Sequence, residues 1–138
     1  MRVVLDANVL ISAGISRGSS HRIVQAWLRD QPFEVVICGR LLGEVRSVLT
    51  ERPRLRKWIS LESAELYVTT LATAVDVQPD PLPGPALTRD PDDDYVIHLA
   101  RAHATDLIVS GDADLLEWQE QRPPVITPAE FEARLSQS

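Results

Sequence analysis

The chain has one cysteine, Cys38, and none to pair with it. A disulfide framework and a cysteine-based zinc site are both excluded within a single chain. No apolar run approaches the roughly 20 residues needed to cross a bilayer. The opening residues, Met1 to Asp6, reach an acid too soon for a secretory leader. The chain is therefore expected to be cytoplasmic, with no membrane association. An excess of basic side chains is also missing. Asp and Glu number 20 against 14 Lys and Arg, which leaves a net charge of −6. That argues against a broad, sequence-independent grip on nucleic acid, which normally needs a basic face. It does not exclude an enzyme that acts on nucleic acid, because a bound cation brings its own positive charge. Lysine is nearly absent: 13 of the 14 basic residues are arginine, and Lys57 is the exception. The densest basic cluster, Arg52, Arg54, Arg56 and Lys57, reads first as a solvated helix face. At 138 residues, 44% apolar and 25% charged, the whole of 1–138 is expected to form one domain.

What the chain does have is acid in one place. Asp90-Pro91-Asp92-Asp93-Asp94 puts four carboxylates within five residues, at the end of a loop with prolines at 79, 81, 83, 85 and 91. Asp92 or Asp93 could cap a helix that follows, and a first-turn carboxylate faces the positive end of the helix dipole. Capping accounts for one or two of the acids. Like charges at contact distance repel, so the rest must splay into water or be held by a cation. A proline-rich loop this long in a small domain is commonly functional or disordered. Here it delivers the acidic stretch, which favours a functional rim.

Taken in order, the chain alternates strand and helix. Arg2 to Leu5 is a short apolar strand that ends in Asp6-Ala7-Asn8, and a short helix follows. His21 to Asp30 is a helix capped by Ser19 or Ser20. Glu34 to Cys38 is a second strand. Arg40 to Glu51 is a helix whose apolar stripe leaves Glu44 at its border. A short basic helical segment, Pro53 to Ser60, precedes a helix from Leu61 to Ala74. Val75 to Val77 is a candidate strand. Tyr95 to Ala104 is a helix; His98 and His103 lie on it at i and i+5, poor spacing for a shared metal. Leu107 to Val109 is a strand ended by Ser110-Gly111-Asp112-Ala113-Asp114, where Gly111 permits a tight turn that presents Asp112. Leu115 to Gln121 is a helix and Pro124 to Thr127 a last strand. Thr127-Pro128-Ala129-Glu130 then has the form of a capping box.

This alternation implies an α/β fold with a mostly parallel sheet and helices on both faces. The C-terminal strand ends then share one edge, where ligands gather in open α/β sheets. Four acids are expected there: Asp6, Glu44, Asp94 and Asp112. Asn8, Asp93, Ser110 and Asp114 are at hand to support them. Carboxylates without cysteine or suitably spaced histidine suit a hard ion, Mg²⁺ or Mn²⁺, better than Zn²⁺. The matching reaction is phosphodiester hydrolysis.

These residues resemble the PIN-domain family, metal-dependent ribonucleases that include VapC-type toxins of toxin–antitoxin systems. The resemblance rests on Val4-Leu5-Asp6-Ala7-Asn8, on Glu44 after the second strand, on Asp94 leading Tyr95-Val96-Ile97-His98-Leu99-Ala100, and on Val109-Ser110-Gly111-Asp112-Ala113-Asp114-Leu115. Asp90 to Asp94 and the ending Val125 to Phe131 resemble the branch described as PIN-family toxin components. The resemblance spans nearly the whole chain and implies a three-layer α/β/α sandwich with a mainly parallel five-stranded sheet. It also implies a Mg²⁺- or Mn²⁺-dependent endoribonuclease with an RNA substrate and a cognate antitoxin, often a homodimer. Asp6, Glu44, Asp94 and Asp112 match the family's metal-binding acids, and Asn8 and Ser110 its supporting polar positions. Asp93 competes with Asp94 for the third place; Asp94 is preferred because the following apolar helix is in step with it.

Rival chemistries lack a residue each. A haloacid-dehalogenase-type phosphatase needs a second Asp where Asn8 stands. A phospho-receiver domain needs a late-strand lysine, and Lys57 is elsewhere. A dinucleotide fold needs a glycine-rich first turn, and Asp6-Ala7-Asn8 has none. The remaining rival is a PIN-like module that binds RNA or protein without cleaving.

Overall fold

The computed structural model describes residues 1–137. Four short strands, β1 (Arg2–Leu5), β2 (Glu34–Val35), β3 (Leu107–Val109) and β4 (Val125–Ile126), form one sheet in the order β2-β1-β3-β4. Every pairing is parallel, with Val3 opposite Val35 and Leu107, and Val109 opposite Ile126. In the central strand, Val3, Val4 and Leu5 are consecutive and all fully buried. Side chains alternate faces along a strand, so both faces must be covered, as the unbroken apolar run implied.

Among the described residues, seven helices provide the cover: α1 (Ala7–Ile15), α2 (Ser19–Asp30), α3 (Gly39–Glu51), α4 (Leu61–Ala74), α5 (Pro91–Ala102), α6 (Ala113–Leu116) and α7 (Pro128–Ser136). Helix α5 packs on β1 and β3. Helix α1 packs on α2 and α3, α2 on α7, and α3 on α4. One continuous apolar core runs through them, from Val3 to Phe131. The basic segment is a short 3-10 turn, Pro53–Lys57, in which the Arg56 guanidinium bonds the Leu49 carbonyl at the end of α3.

The sheet has four strands among the described residues, not the five implied by the resemblance. The stretch offered as a further strand, Val75 to Val77, makes no ladder. Its successor Gln78 forms one parallel bridge with Cys38, donating to Ile37 and accepting from Gly39. Pro79 then lacks an amide to donate, which stops a ladder from extending.

Helix starts also differ from expectation, and two of the differences decide the site. Helix α5 begins four residues early, at Pro91, with Asp90 as its cap; the Asp90 carboxylate accepts from the Asp92 amide at 3.0 Å. Proline is pre-set for the first helical position. Asp92, Asp93 and Asp94 therefore all lie within the helix, each turned about 100° from the last. Helix α6 spans only Ala113–Leu116, short of the expected Leu115 to Gln121, and is capped by Asp112. Helix α2 starts after Gly18, so neither Ser19 nor Ser20 caps it. The expected capping box of α7 is complete: Thr127 accepts from the Glu130 amide at 3.1 Å, and Glu130 accepts from the Thr127 amide at 3.2 Å.

Candidate metal centre

The residues that end β1 and β3 meet at the C-terminal edge of the sheet. Asp6 follows β1 and caps α1, accepting from the Ala7 amide at 2.8 Å. Its other oxygen accepts from the fully buried Ser110 hydroxyl at 2.7 Å. The same Ser110 oxygen accepts from the Asp112 amide at 3.0 Å. Ser110 thus ties the ends of the two strands and fixes Asp6 relative to Asp112. Burial raises the Asp6 pKa; the bonds from Ser110 and Ala7 oppose this, and the charges of Asp112 and Glu44 add to it.

The first turn of α5 distributes its three acids in three directions, as the helical rotation dictates. Asp92 points outward and pairs with Arg40 at 3.5 Å. Asp93 turns to the sheet edge. Its pKa is raised to about 7 by burial first and then by the negative charges of Asp112, Asp6 and Asp90. One of its oxygens, Oδ2, is buried without a hydrogen-bond partner. Asp94 turns away. Its carboxylate accepts from the Thr88 amide at 2.8 Å, the Thr88 hydroxyl at 2.7 Å and the Leu87 amide at 3.2 Å. Burial would raise the Asp94 pKa, but the bonds from Thr88 and Leu87 outweigh it and hold the group below the ordinary range. The expected set of Asp6, Glu44, Asp94 and Asp112 is therefore not what the fold brings together. Asp93 joins Asp6 and Asp112, and Asp94 clasps the preceding loop.

Carboxylate oxygens of Asp90, Asp93 and Asp114 lie within 4.8 Å of one another, close enough to share an ion. Asp114 also pairs with Arg89 at 2.9 Å. Glu44 stands at the other rim, half-exposed, 3.7 Å from Arg40. The Tyr95 hydroxyl, within the influence of Glu44 and Asp6, is buried and without a hydrogen-bond partner. Burial, then the charges of Glu44 and Asp6, push its pKa well above the usual phenol value, so it remains a neutral donor. Arg40 stacks on the Tyr95 ring, 4.1 Å from its centroid. Asn8 is exposed on the first turn of α1.

Sequence reasoning flagged Asp90 only as one of the four acids of 90–94, without a role at the site, and gave no role to Tyr95, Arg40 or Arg89. Asp90 had a legible signal, since an acid directly before proline suits a cap with proline at the first helical position. Arg89 had none, because its partners Asp114 and Glu117 are far away in the chain; Arg40 had one, since Glu44 is its i+4 neighbour on α3. His98 faces the proline-rich loop. Its ring contacts the Pro85 carbonyl at 3.2 Å and packs on Gly84, where a β-carbon would sit 2.5 Å from the ring.

The donor set suits a hard divalent cation. It offers carboxylates only, one buried carboxylate oxygen is unpartnered, and burial, with like charges adding to it, raises the pKa values of Asp6 and Asp93. Among the described residues, arginine reaches this group at its rim, through Glu44, Asp92 and Asp114.

Comparison with known proteins agrees with this architecture. A family model described as PIN domain matches residues 2–114. The chain belongs to the PIN-domain family, whose members are commonly metal-dependent nucleases. It is 27% identical over 143 residues to the uncharacterized protein MJ1680 of Methanocaldococcus jannaschii, across 95% of this chain and 89% of that one. It shares its fold with the crystal structure of PAE2754 from Pyrobaculum aerophilum. The TM-score is 0.69 and the identity 16%, over all of this chain and 91% of the other.

Proposed function

We propose that this protein is a Mg²⁺- or Mn²⁺-dependent endoribonuclease in which Asp6, Asp93 and Asp112, with Glu44 at the rim, hold the cation. The observation that carries the reading is Asp93. Its carboxyl is drawn into the field of Asp6, Asp112 and Asp90, and one of its oxygens is left without a partner. A group in that position is stabilised by a cation that the side chains around it do not supply. Asp94 is left out of the ligand set because its oxygens already serve Thr88 and Leu87.

A divalent cation in this place would polarise a phosphoryl oxygen and lower the pKa of a bound water. The chain's own part is positional. Ser110 holds Asp6 and Asp112 at fixed separation. The Asp112 carboxylate, bonded by the Asp114 amide at 2.8 Å, keeps a set orientation at the cap of α6. Tyr95 offers a hydroxyl proton beside Glu44. Asn8 and Asp114 are within the same edge as supporting polar groups. The toxin role, a cognate antitoxin, a homodimeric state, a single-domain organisation and a cytoplasmic setting follow from the motif resemblance and belong to the same proposal. No helix is long and apolar enough to cross a membrane.

The test is cleavage of labelled single-stranded RNA in Mn²⁺, in Mg²⁺ and in chelator, with wild type beside Asp93→Asn. The expected result is metal-dependent cleavage that falls by roughly 100-fold or more in the variant, the scale of losing several kcal/mol of charge stabilisation. Metal binding without cleavage of any RNA would favour the non-cleaving binding module instead.

A further inference from the structure

The segment that links α3 to α4 holds positive charge that the protein leaves unanswered. Pro53–Lys57 is pinned by two groups: Leu55, which is buried, and the Arg56 guanidinium, which bonds the Leu49 carbonyl. Arg52, Arg54, Lys57 and Trp58 are left exposed. Elsewhere Arg2, Arg22, Arg40, Arg46, Arg89 and Arg101 each pair with a carboxylate. Among the described residues, no salt bridge joins Arg52, Arg54, Arg56 or Lys57 to an acid. Of the acids close by in the chain, Glu51 accepts from the Ser47 hydroxyl and Glu65 pairs with Arg46 at 3.3 Å. One Arg56 nitrogen, Nη1, is also buried without a hydrogen-bond partner. A chain of net charge −6 has acids to spare, yet pairs none of them here.

Trp58 is a second, independent observation. It is 61% exposed, the one exposed aromatic ring among the described residues; Trp27 and Trp118 are buried. A ring of this size ordinarily gains by burial. The Lys57 ammonium stands over it, 5.3 Å from the centroid. An exposed ring among unpaired cations matches what a single nucleic-acid strand requires: a face on which a base stacks, and positive charge for its phosphates.

We propose that the segment from Arg52 to Trp58 is a contact for single-stranded RNA, with Trp58 stacking on a base and Arg52, Arg54 and Lys57 meeting the flanking phosphates. For its ligand the inference rests on the ribonuclease reading. Arg52 ends the helix that carries Glu44, about 12 Å further along its axis. A strand of several nucleotides held at the metal centre can extend that far. The contact accounts for how an acidic chain receives a polyanion: attraction is concentrated where arginine is unpaired, away from the carboxylates that a cation must reach. Leu61 and Leu66 are exposed nearby and would suit a protein partner, but four unpaired cations favour a polyanion.

The experiment titrates the full chain with a uridine single strand of about twelve nucleotides, in chelator so that metal-dependent cleavage is off. Trp58 is the exposed indole, so tryptophan fluorescence reports contact at this segment. Wild type should be quenched. Trp58→Ala should raise Kd about fivefold or more, the lower end of what one stacked base contributes. Arg52→Gln, Arg54→Gln and Lys57→Gln combined should lower the slope of log K against log salt by about 2, three phosphate contacts at about 0.7 each. The four side chains are exposed, so the Tm of both variants, and its rise with Mg²⁺, should match wild type. In Mn²⁺, cleavage at subsaturating RNA should fall by about the factor lost in affinity. Unquenched fluorescence, with Kd and salt slope unchanged in both variants, would overturn the contact, and cleavage by wild type would then leave the ribonuclease reading standing. A dimer that Trp58→Ala converts to monomer, with RNA affinity intact, would make this face a contact between copies of the chain and sink the proposal. Quenching and the expected losses in a protein that cleaves no RNA would uphold the strand contact while the ribonuclease reading fell.

Discussion

The two ends of the same parallel strands treat charge in opposite ways. At the N-terminal end, Arg2 sits among acceptors. Its amide bonds Asp106 at 2.8 Å, its Nε bonds Glu34 at 3.0 Å, and its Nη1 bonds the His103 carbonyl at 2.8 Å. A cation is built into the protein, and the acids there are answered. At the C-terminal end, Asp6, Asp93 and Asp112 converge with Asp90 and Asp114 close by, and Arg40 and Arg89 reach only the margin. A chain that places an arginine at one end could have placed one at the other. On the proposed reading, the unanswered end is the one where an external cation would act.

The sharpest way to break this contrast is to exchange roles between the neighbours Asp93 and Asp94. Asp94→Ala removes three hydrogen bonds to a buried carboxylate and leaves the Thr88 and Leu87 amides unpaired. Charged hydrogen bonds of this type are worth about 1.5–3 kcal/mol each and are not additive. A loss of about 3 kcal/mol is expected in chemical denaturation, the same with and without Mg²⁺. Asp93→Asn should do the reverse: it relieves like-charge repulsion, so the metal-free protein should be no less stable, and the gain from Mg²⁺ should shrink. Equal responses from the two variants would erase the distinction.

A pH series sharpens it further. Folding raises the Asp6 and Asp93 pKa values, the latter to about 7, above the ordinary carboxylate value of 3.8. Between about pH 4 and pH 7 the folded state therefore binds more protons than the unfolded one, and metal-free stability falls as pH rises. Asp94 acts in the opposite sense, but only as pH drops below its unfolded value, outside that window. Denaturation midpoints measured in chelator should decline from pH 4.5 to 7, and the slope should flatten in Asp93→Asn. A rise over that range would contradict the charge surplus. The smallest effect belongs to the answered end. The Arg2–Glu34 pair is largely solvent-exposed, so Glu34→Gln should cost no more than about 1 kcal/mol and leave RNA cleavage untouched.

Much of this was legible in the chain. The buried run Val3-Val4-Leu5, the acids that end β1 and β3, and the Thr127–Glu130 capping box each follow from local pattern, and each lies where that pattern puts it. The site was harder to read where one residue of register decides the outcome. Taking the helix to start at Tyr95 makes Asp94 the acid that leads it. Starting it at Pro91 places Asp93 and Asp94 on different faces, and only the capping by Asp90 fixes which is which. The fifth strand failed for a related reason. Val75 to Val77 has strand composition, yet Gln78 pairs once and Pro79 ends the ladder. Arg40 on Tyr95 and Arg89 on Asp114 are long-range contacts that no local pattern encodes.

The most direct test is Mn²⁺ binding, by calorimetry, to wild type, Asp93→Asn and Asp94→Asn at neutral pH. The account expects binding to wild type, a loss of roughly tenfold or more in affinity for Asp93→Asn, and affinity within about threefold of wild type for Asp94→Asn among molecules that remain folded. Linkage then requires thermal stabilisation of wild type, about 2.7 kcal/mol at a cation concentration of 100 Kd. Unchanged affinity in Asp93→Asn alongside its collapse in Asp94→Asn would contradict the assignment of the site.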